Sequence, residues 1–301
     1  MAIAGDIESR TIAQSAGESI LGFWQNTKNP SDFRAFEPER MLHANAANEL
    51  LVLPVAIGES DFVIPDLGQA MKGRTINYRL QDGILHLSLA PAIRNGSMHW
   101  LRNASFRRVA KAASLQIGPL KTGAFKRPNA ETINAIRKSL QERMARDQAA
   151  RKNGYGRTAF EEQTQDCIWL KKVVCEYGWI DVRRFGSQST LAAFLIAQHC
   201  LDMRLRATAL AGLRKDIQNG QPVQGMYAWL YDRNTLYLHG CQRFGTHFRT
   251  ASSGEIEILP LENAKKVEAW RRGIKLGTFS AEMERPRSMN SQGKLVVLKA
   301  L

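Results

Sequence analysis

The fold is decided first by a stretch with the pattern of a β-hairpin, TINYRLQDGILHLSL at residues 75–89. Two runs that alternate apolar and polar residues flank Gln81-Asp82-Gly83. Asp-Gly between alternating runs favours a tight hairpin turn. The stretch therefore predicts two consecutive antiparallel strands.

Further strand-like runs surround this hairpin between residues 18 and 92. They include LLVLPVAI at 50–57 and FVI at 62–64. With Gly22-Phe23-Trp24 at its first candidate strand, the block resembles small lipocalin-like β modules, which open with a similar Gly-x-Trp. The alternative is an unrelated antiparallel sheet packed on its neighbour.

Charge is distributed unevenly along the 301 residues, whose net charge is +14. Residues 1–92 carry −4, residues 93–160 carry +12 and residues 161–301 carry +6. Such asymmetry indicates an anionic partner for the middle segment, namely nucleic acid, a membrane surface or an acidic protein. The alternative is a solvated connector whose charges keep the chain soluble.

Within the basic segment, WLRNASFRRVAK at 100–111 mixes basic and apolar residues and predicts a basic amphipathic helix. Such a helix lies on a membrane, fills a groove or packs on a neighbouring domain. Trp100 and Phe106 among arginines partly match the pattern of nucleic-acid binders.

The composition, 44% hydrophobic, is that of a globular protein of one or two domains. No run of 18 apolar residues exists, and the N-terminus lacks the basic and apolar regions of a signal peptide. We therefore expect a cytoplasmic protein, although the sequence leaves export as an effector open. The cysteines lack zinc-site spacing, and unpaired thiols fit a reducing cytoplasm, with a Cys200–Cys241 bond left open.

From residue 129 the apolar spacing becomes helical. Asn129 is the candidate N-cap of a helix that runs to about Lys152. Further helices are predicted at about 164–177, from about Ser189, up to Asn219-Gly220, and at about 262–273. Residues 235–238 and 243 onward are predicted to form a hairpin, with Gly254 turning into 256–259, and 295–298 a short strand.

These elements predict an α+β protein: an N-terminal antiparallel β-rich module followed by a mostly α-helical domain with a small β-hairpin element. We expect a β-rich module at 1–92, a basic connector at 93–128, a helical domain at 129–285 and a tail at 286–301.

Six short motifs occur in order across residues 138–280. They are Asp147-Gln148-x-x-Arg151, Tyr177-Gly178-Trp179, Phe185-Gly186, Gln198-His199, Tyr227-Ala228-Trp229-Leu230-x-Asp232-Arg233 and Gln242-x-Phe244-Gly245-Thr246. In this order they resemble a bacterial domain family of unknown function. The resemblance implies a mostly helical domain with a polar centre, and it implies no reaction.

The chain departs from the family pattern at three places. Ile180 stands where the family usually has Pro, and Asp202 follows Gln198-His199 one position later than usual. Phe244 stands where Tyr is usual, so a mechanism that uses this phenol as general acid or base is doubtful for this chain.

Four polar residues fall on otherwise apolar helix faces. They are Asp147, Asp166, Gln198 and Asp202. A buried charge without a partner costs several kcal/mol, so these side chains must be paired or line a cavity. Arg151 and Arg233 are available partners, and a buried structural network is one interpretation.

The functional interpretation is a pocket in which His199 and Asp232 are the catalytic pair. Histidine can act as general base near neutral pH, and a carboxylate on its other nitrogen would fix the tautomer. Arg233 and Gln242 would bind an anion or carbonyl group. The other predicted substrate-binding residues are Gln198, Asp147, Arg151 and Thr246.

No cofactor is predicted, because the chain has no Walker loop, no G-x-G-x-x-G and no G-x-S-x-G. No metal is predicted either; a site made of Asp147, Asp166, His199 and Asp202 is the alternative. Cys200 is next to His199, but consecutive helical residues point apart, so this adjacency does not make a Cys–His pair.

Two functions compete. The first is a small hydrolase or transferase with His199 as general base. The second is a binding protein whose residues 93–160 engage nucleic acid, acidic lipid or an acidic protein, with salt-sensitive affinity. The oligomeric state is open.

Overall fold

The computed structural model describes most of the chain. The described residues are 20–38, 40–44, 50–59, 61–64, 74–89, 104–110, 118–120, 122–152, 157–250, 255–289 and 295–297. The predictions for the N-terminus, for Trp100 and for the turn at Gly254 lie outside them. The chain divides into two compact units: 1–118 with 150–162 and 201–204, and 119–149 with 163–200 and 205–301.

The predicted hairpin is confirmed. Strand β7 spans Arg74–Gln81 and strand β8 spans Ile84–Leu89, paired antiparallel with Gln81 opposite Ile84. The two turn residues, Asp82 and Gly83, both have positive φ, 51° and 71°. Those are the backbone angles that a two-residue turn of type I′ requires, which explains the Asp-Gly sequence.

The first unit is built on a nine-stranded antiparallel sheet, a half-barrel over residues 22–109. Its other strands are β1 Gly22–Asn26, β2 Phe33–Glu37, β3 Arg40–Ala44, β4 Leu50–Pro54, β5 Ala56–Ile57, β6 Asp61–Ile64 and β9 Ala104–Val109. The strand order is β4-β3-β2-β1-β9-β8-β7-β6-β5. Because only Val55 separates the two ends of this order, the sheet curls toward itself.

One face of the sheet carries the core of this unit, which includes Trp24, Phe36, Phe62, Leu85 and Phe106, each at most 2% exposed. The indole N–H of Trp24 donates to the Ile20 carbonyl at 2.7 Å, and the Arg108 guanidinium lies 4.4 Å from the centre of the indole ring. These contacts satisfy the polar edge of a fully buried Trp.

The prediction of an amphipathic helix at 100–111 is wrong for residues 104–109, because these residues form β9 between β1 and β8. Phe106 is buried while Arg107 and Arg108 are exposed. The edges of β1 and β8 supply hydrogen-bond partners for the backbone of these residues. This pairing outweighs the local sequence pattern, which fits neither a helix nor a strand cleanly. Because 90–103 and 111–117 are outside the described residues, a connector at 93–128 stays a prediction.

The second unit is mainly helical. Its helices are α1 Ala130–Lys152, α2 Arg157–Tyr177, α3 Val182–Phe185, α4 Ser187–His199, α5 Met203–Gln218, α6 Gln224–His239, α7 Val267–Gly273 and α8 Phe279–Met289. Asn129 caps α1 as predicted, since its side-chain oxygen accepts the Thr132 N–H at 2.8 Å. A small sheet contains β10 Phe248–Thr250, β11 Ile256–Ile258 and β12 Leu295–Val297 in the order β10-β11-β12.

The protein is therefore α+β, as predicted, but two local predictions in the second unit are wrong. Residues 235–238 form the last turns of α6 rather than a strand, and the helix ends at Gly240, which has φ 66°. Residues 279–289 form α8, where a tail was expected from 286. The helical core continues the 3.6-residue pattern that the sequence showed, with Leu140, Leu170 and Leu230 fully buried.

Cys167 of α2 and Cys200 form a disulfide with a Cα–Cα distance of 5.7 Å. The expectation of unpaired thiols is therefore wrong for these two residues, while neither Cys175 nor Cys241 is disulfide-bonded. The cytoplasmic location was predicted partly because unpaired thiols were expected, so this part of the argument no longer holds. Within the described ranges, no helix has the length and apolar character needed to cross a bilayer.

Candidate functional site

His199 lies at the end of α4 and contacts Asp147 of α1. The distance between His199 Nδ1 and Asp147 Oδ1 is 3.5 Å, and each side chain is 14% exposed. The His199 carbonyl accepts a hydrogen bond from the Gln163 side-chain amide. Two predicted site residues are thus brought together from positions 52 apart in sequence.

The end of α4 is fixed next to His199. Cys200 caps the helix, with its N–H on the Ile196 carbonyl at 3.0 Å, and its sulfur is bonded to Cys167 of α2. In this disulfide the Cys200 sulfur is not a thiol nucleophile, which agrees with the argument against a Cys–His pair.

Asp166 forms ion pairs with two arginines. It is 3% exposed and receives hydrogen bonds from Arg143 and, at 2.7 Å, from Arg146, both on α1. These ion pairs join α1 to α2, so the structural interpretation holds for Asp166. Arg151 lies in α1, and its side chain is outside the described part of the chain.

Asp232 of α6 is fully buried and holds the loop that follows the helix. Its Oδ1 accepts the N–H groups of Arg243 at 2.8 Å and Phe244 at 2.9 Å. Its Oδ2 accepts the N–H and the hydroxyl of Thr246, at 3.0 and 2.9 Å. Burial raises the pKa of Asp232, and these hydrogen bonds oppose the rise. The carboxylate thus supplies hydrogen-bond acceptors for backbone N–H groups of residues 243–246 that would otherwise lack them.

Gln242 fixes the same loop through its side-chain amide, which is also fully buried. The amide NH₂ donates to the carbonyls of His247 at 2.8 Å and Leu259 at 2.9 Å, and the amide oxygen accepts the His247 N–H at 2.8 Å. Gly245, with φ 69°, leaves no room for a side chain, because a Cβ would lie 2.4 Å from the Phe279 ring.

The Thr246 hydroxyl connects Asp232 to His247. It lies 2.9 Å from Asp232 Oδ2 and 2.9 Å from His247 Nδ1. With the carboxylate ionised, the single hydroxyl hydrogen is donated to Asp232, so the hydroxyl oxygen accepts from His247 Nδ1–H. The neutral imidazole therefore has its lone pair on Nε2.

Two arginines lie near His247, and we call Arg206, Arg233 and His247 the arginine cluster. The pKa of His247 is lowered to about 4, chiefly by burial and additionally by the charges of Arg233 and Arg206. Arg206 is 1% exposed, its Nη2 donates to the Gln198 carbonyl at 3.2 Å, and its guanidinium lies 5.0 Å from the Tyr237 ring centre. The cluster thus places one buried arginine and one partly exposed arginine near His247.

Aromatic side chains of α6 surround the arginine cluster. Trp229, Arg233 and Tyr237 are spaced by four residues and share one face of the helix. The Trp229 ring centre is 5.8 Å from that of His247. Trp229, Arg233, Tyr237 and His247 are each partly exposed, so the cluster is reached from solvent.

Some buried polar atoms here lack a hydrogen-bond partner among the described residues. They are Arg233 Nε, Gln198 Oε1 and Asn234 Oδ1. Buried polar groups are nearly always satisfied in folded proteins, so each of these atoms calls for a water or ligand.

Sequence reasoning found Asp147, His199, Asp232, Arg233, Gln242 and Thr246 but did not single out three neighbours that the structure adds. These are Arg206, Tyr237 and His247. His247 directly follows Thr246 of the last motif, and Tyr237 is one turn after Arg233, so both had a signal in the sequence. Arg206 had none, because it lies on a different helix.

Asp202 belongs to the first unit, where its Oδ1 accepts the N–H groups of Arg204 at 3.0 Å and Leu50 at 3.2 Å. In the described ranges, no group of three or more His, Cys, Asp or Glu side chains is placed to hold a metal ion.

The helical region matches the model of DUF6624, a family of unknown function, over residues 130–284. The match covers more than half of the chain, so the protein belongs to this family, and the resemblance predicted over 138–280 is confirmed. Neither curated proteins nor solved structures gave a match.

Proposed function

We propose that the helical domain is a small enzyme, a hydrolase or transferase, in which His199 acts as general base. The observation that carries this proposal is the 3.5 Å contact between His199 Nδ1 and Asp147 Oδ1. A carboxylate at one ring nitrogen favours a hydrogen on that nitrogen and leaves the other as the base. Catalytic hydrogen bonds are often long without substrate, so 3.5 Å fits this role.

The surroundings of His199 support the proposal. Both side chains of the pair are mostly buried yet retain some exposure, so a substrate proton can reach the ring. The disulfide from Cys167 and the hydrogen bond from Gln163, both residues of α2, hold the helix end at two points. A base held by rigid elements keeps the geometry that catalysis needs.

Asp147 takes the role that the sequence assigned to Asp232. Both oxygens of Asp232 already serve residues 243–246, so we assign Asp232 to positioning that loop. Gln242 has the same role, because its amide hydrogens and oxygen are bonded to backbone groups. Arg233 stays a proposed binder of an anionic group.

The test is hydrolysis of p-nitrophenyl acetate, p-nitrophenyl phosphate and bis(p-nitrophenyl) phosphate by the whole chain. For the ester that reacts, we expect His199→Ala to lower kcat at least about 100-fold, the usual contribution of a general base. Asp147→Asn should lower kcat less than His199→Ala does, because the imidazole remains although its orientation is lost. The lower limb of the pH profile should also shift, because the carboxylate charge beside the ring is removed.

His239 provides a matched control, since it is an exposed histidine at the end of α6. His239→Ala should keep kcat within twofold. The proposal fails when no ester is hydrolysed above the rate of His199→Ala. A folded protein without activity, whose affinity for nucleic acid or acidic lipid falls steeply with salt, would instead favour the binding function predicted for 93–160.

A further inference from the structure

We propose that the arginine cluster is a binding site for inorganic phosphate, which keeps a proton at neutral pH. The sequence predicted Arg233 as an anion binder, and the structure adds Arg206 and His247; the site does not depend on a catalytic role for His199. Its residues come from α5, α6 and the loop after α6, all within the second unit.

The first step is the charge. Arg233 lies one helical turn from Trp229 and one turn from Tyr237. The Trp229 ring centre is 5.8 Å from that of His247, and the Arg206 guanidinium is 5.0 Å from the Tyr237 ring centre. Arg233 also has a buried Nε without a hydrogen-bond partner among the described residues. Guanidinium groups present forks of donors that match the oxygens of an oxyanion. A bound anion would neutralise the like charges and give the Arg233 Nε–H an acceptor.

The second step is access. Arg206 is 1% exposed, and its guanidinium lies against Tyr237, 5.0 Å from the ring centre. Arg233, Trp229 and His247 are partly exposed. An anion that reaches Arg233 from solvent also lies near the charge of the buried Arg206, in a poorly hydrated region where charge-assisted hydrogen bonds are stronger.

The third step selects phosphate among the anions. The Thr246 hydroxyl places the hydrogen of neutral His247 on Nδ1, so Nε2 is an acceptor. At neutral pH inorganic phosphate keeps at least one O–H, which can donate to Nε2 while its other oxygens accept from arginine. Sulfate and acetate have no such hydrogen. Selectivity for phosphate over sulfate is therefore the signature of this site.

The test is calorimetric titration of the whole chain with inorganic phosphate, phenyl phosphate, sulfate and acetate at pH 7. We expect phosphate to bind at least tenfold more tightly than sulfate or acetate. Phenyl phosphate is mostly a dianion without an O–H at this pH, so it should bind more weakly than inorganic phosphate, and tighter binding of phenyl phosphate would overturn the assignment. Binding of sulfate as tight as that of phosphate overturns the assignment.

Arg233→Gln should weaken phosphate binding at least tenfold, and Arg233→Lys should weaken it less, because the charge is kept but the fork is lost. Arg272→Gln is the matched control, since Arg272 is exposed on α7, and should leave the affinity within twofold. His247→Ala should remove the preference for phosphate over sulfate. Equal phosphate affinity in the wild type and the folded Arg233→Gln protein, or no binding up to about 10 mM, overturns the proposal.

A second measurement follows the imidazole by NMR. The pKa of His247 should rise by at least one unit when phosphate saturates the protein, because the anion offsets the arginine charges. The same rise should occur in Arg233→Gln without phosphate. A purely structural arginine would leave the pKa insensitive to phosphate, and that result would also overturn the proposal.

Discussion

Asp232 and Arg233 are consecutive residues of α6, yet they differ in how fully their side chains are hydrogen-bonded to the protein. Around Asp232 each carboxylate oxygen has two hydrogen bonds, all from residues 243–246. Around Arg233 a buried Nε has no partner among the described residues, and the nearby charge of Arg206 has the same sign. A polar group with all its hydrogen bonds made stabilises the fold, whereas a buried donor without a partner, such as Arg233 Nε, adds no such stabilisation.

Loss of the Asp232 carboxylate should have the largest effect on stability. Asp232→Ala leaves three backbone N–H groups and the Thr246 hydroxyl without their acceptor, so we expect the free energy of unfolding to fall by about 3–5 kcal/mol. Urea unfolding followed by circular dichroism measures it. Glu142→Ala, at an exposed position of α1, should change stability by less than about 0.5 kcal/mol. A similarly small loss for Asp232→Ala would show that the loop is not held by this carboxylate.

His247, which links the two regions, should make stability depend on pH. Its pKa is about 4 in the folded protein against 6.5 as the ordinary value, so the unfolded chain binds the proton first as pH falls. Stability is therefore fully present above about pH 6.5 and is lost as pH falls toward 4, by at most about 3 kcal/mol.

Urea unfolding of the wild type and His247→Gln at pH 7, 5.5 and 4.5 isolates this effect. Gln can still donate to Thr246 but does not titrate, so the stability difference between the two proteins should shrink or reverse as pH falls. A difference that stays constant with pH would contradict the depressed pKa.

Arg233→Gln should have the smallest effect on folding. The substitution removes one of two like charges near His247, so the free energy of unfolding should change by less than about 1 kcal/mol. Thermal and urea unfolding in phosphate-free buffer measure this change beside Arg272→Gln. A loss comparable to that of Asp232→Ala would mean that Arg233 holds the fold, and the contrast between the two neighbours would be lost.

Local pattern predicted the hairpin at 75–89, the cap at Asn129 and the helices up to about 219 in outline, because these features depend on neighbouring residues. It failed at 104–109, where two open strand edges turned a basic apolar run into β9. It also failed at 235–238, a short run whose apolar residues fit both a strand and the end of α6. At both places the spacing of apolar residues alone does not distinguish a helix from a strand.

The candidate site was predicted as a set of residues rather than as an arrangement. His199 and Asp147 were both named, but their pairing was assigned instead to His199 and Asp232. Helical spacing shows that a polar residue lies on a buried face and does not show which residue of another helix meets it. The partners of Asp166, namely Arg143 and Arg146, were missed for the same reason.

The sequence alone determined the α+β class, the order of the main elements and the family, since these follow from local periodicity and ordered motifs. Tertiary structure decided which polar groups meet, such as Asp147 with His199 and Asp232 with the loop at 243–246. It also brought Arg206 and Arg233 close enough to His247 to lower its pKa. The physical reason is that hydrogen bonds and charge interactions act over a few ångströms. Only the packing of distant segments brings such groups within that range.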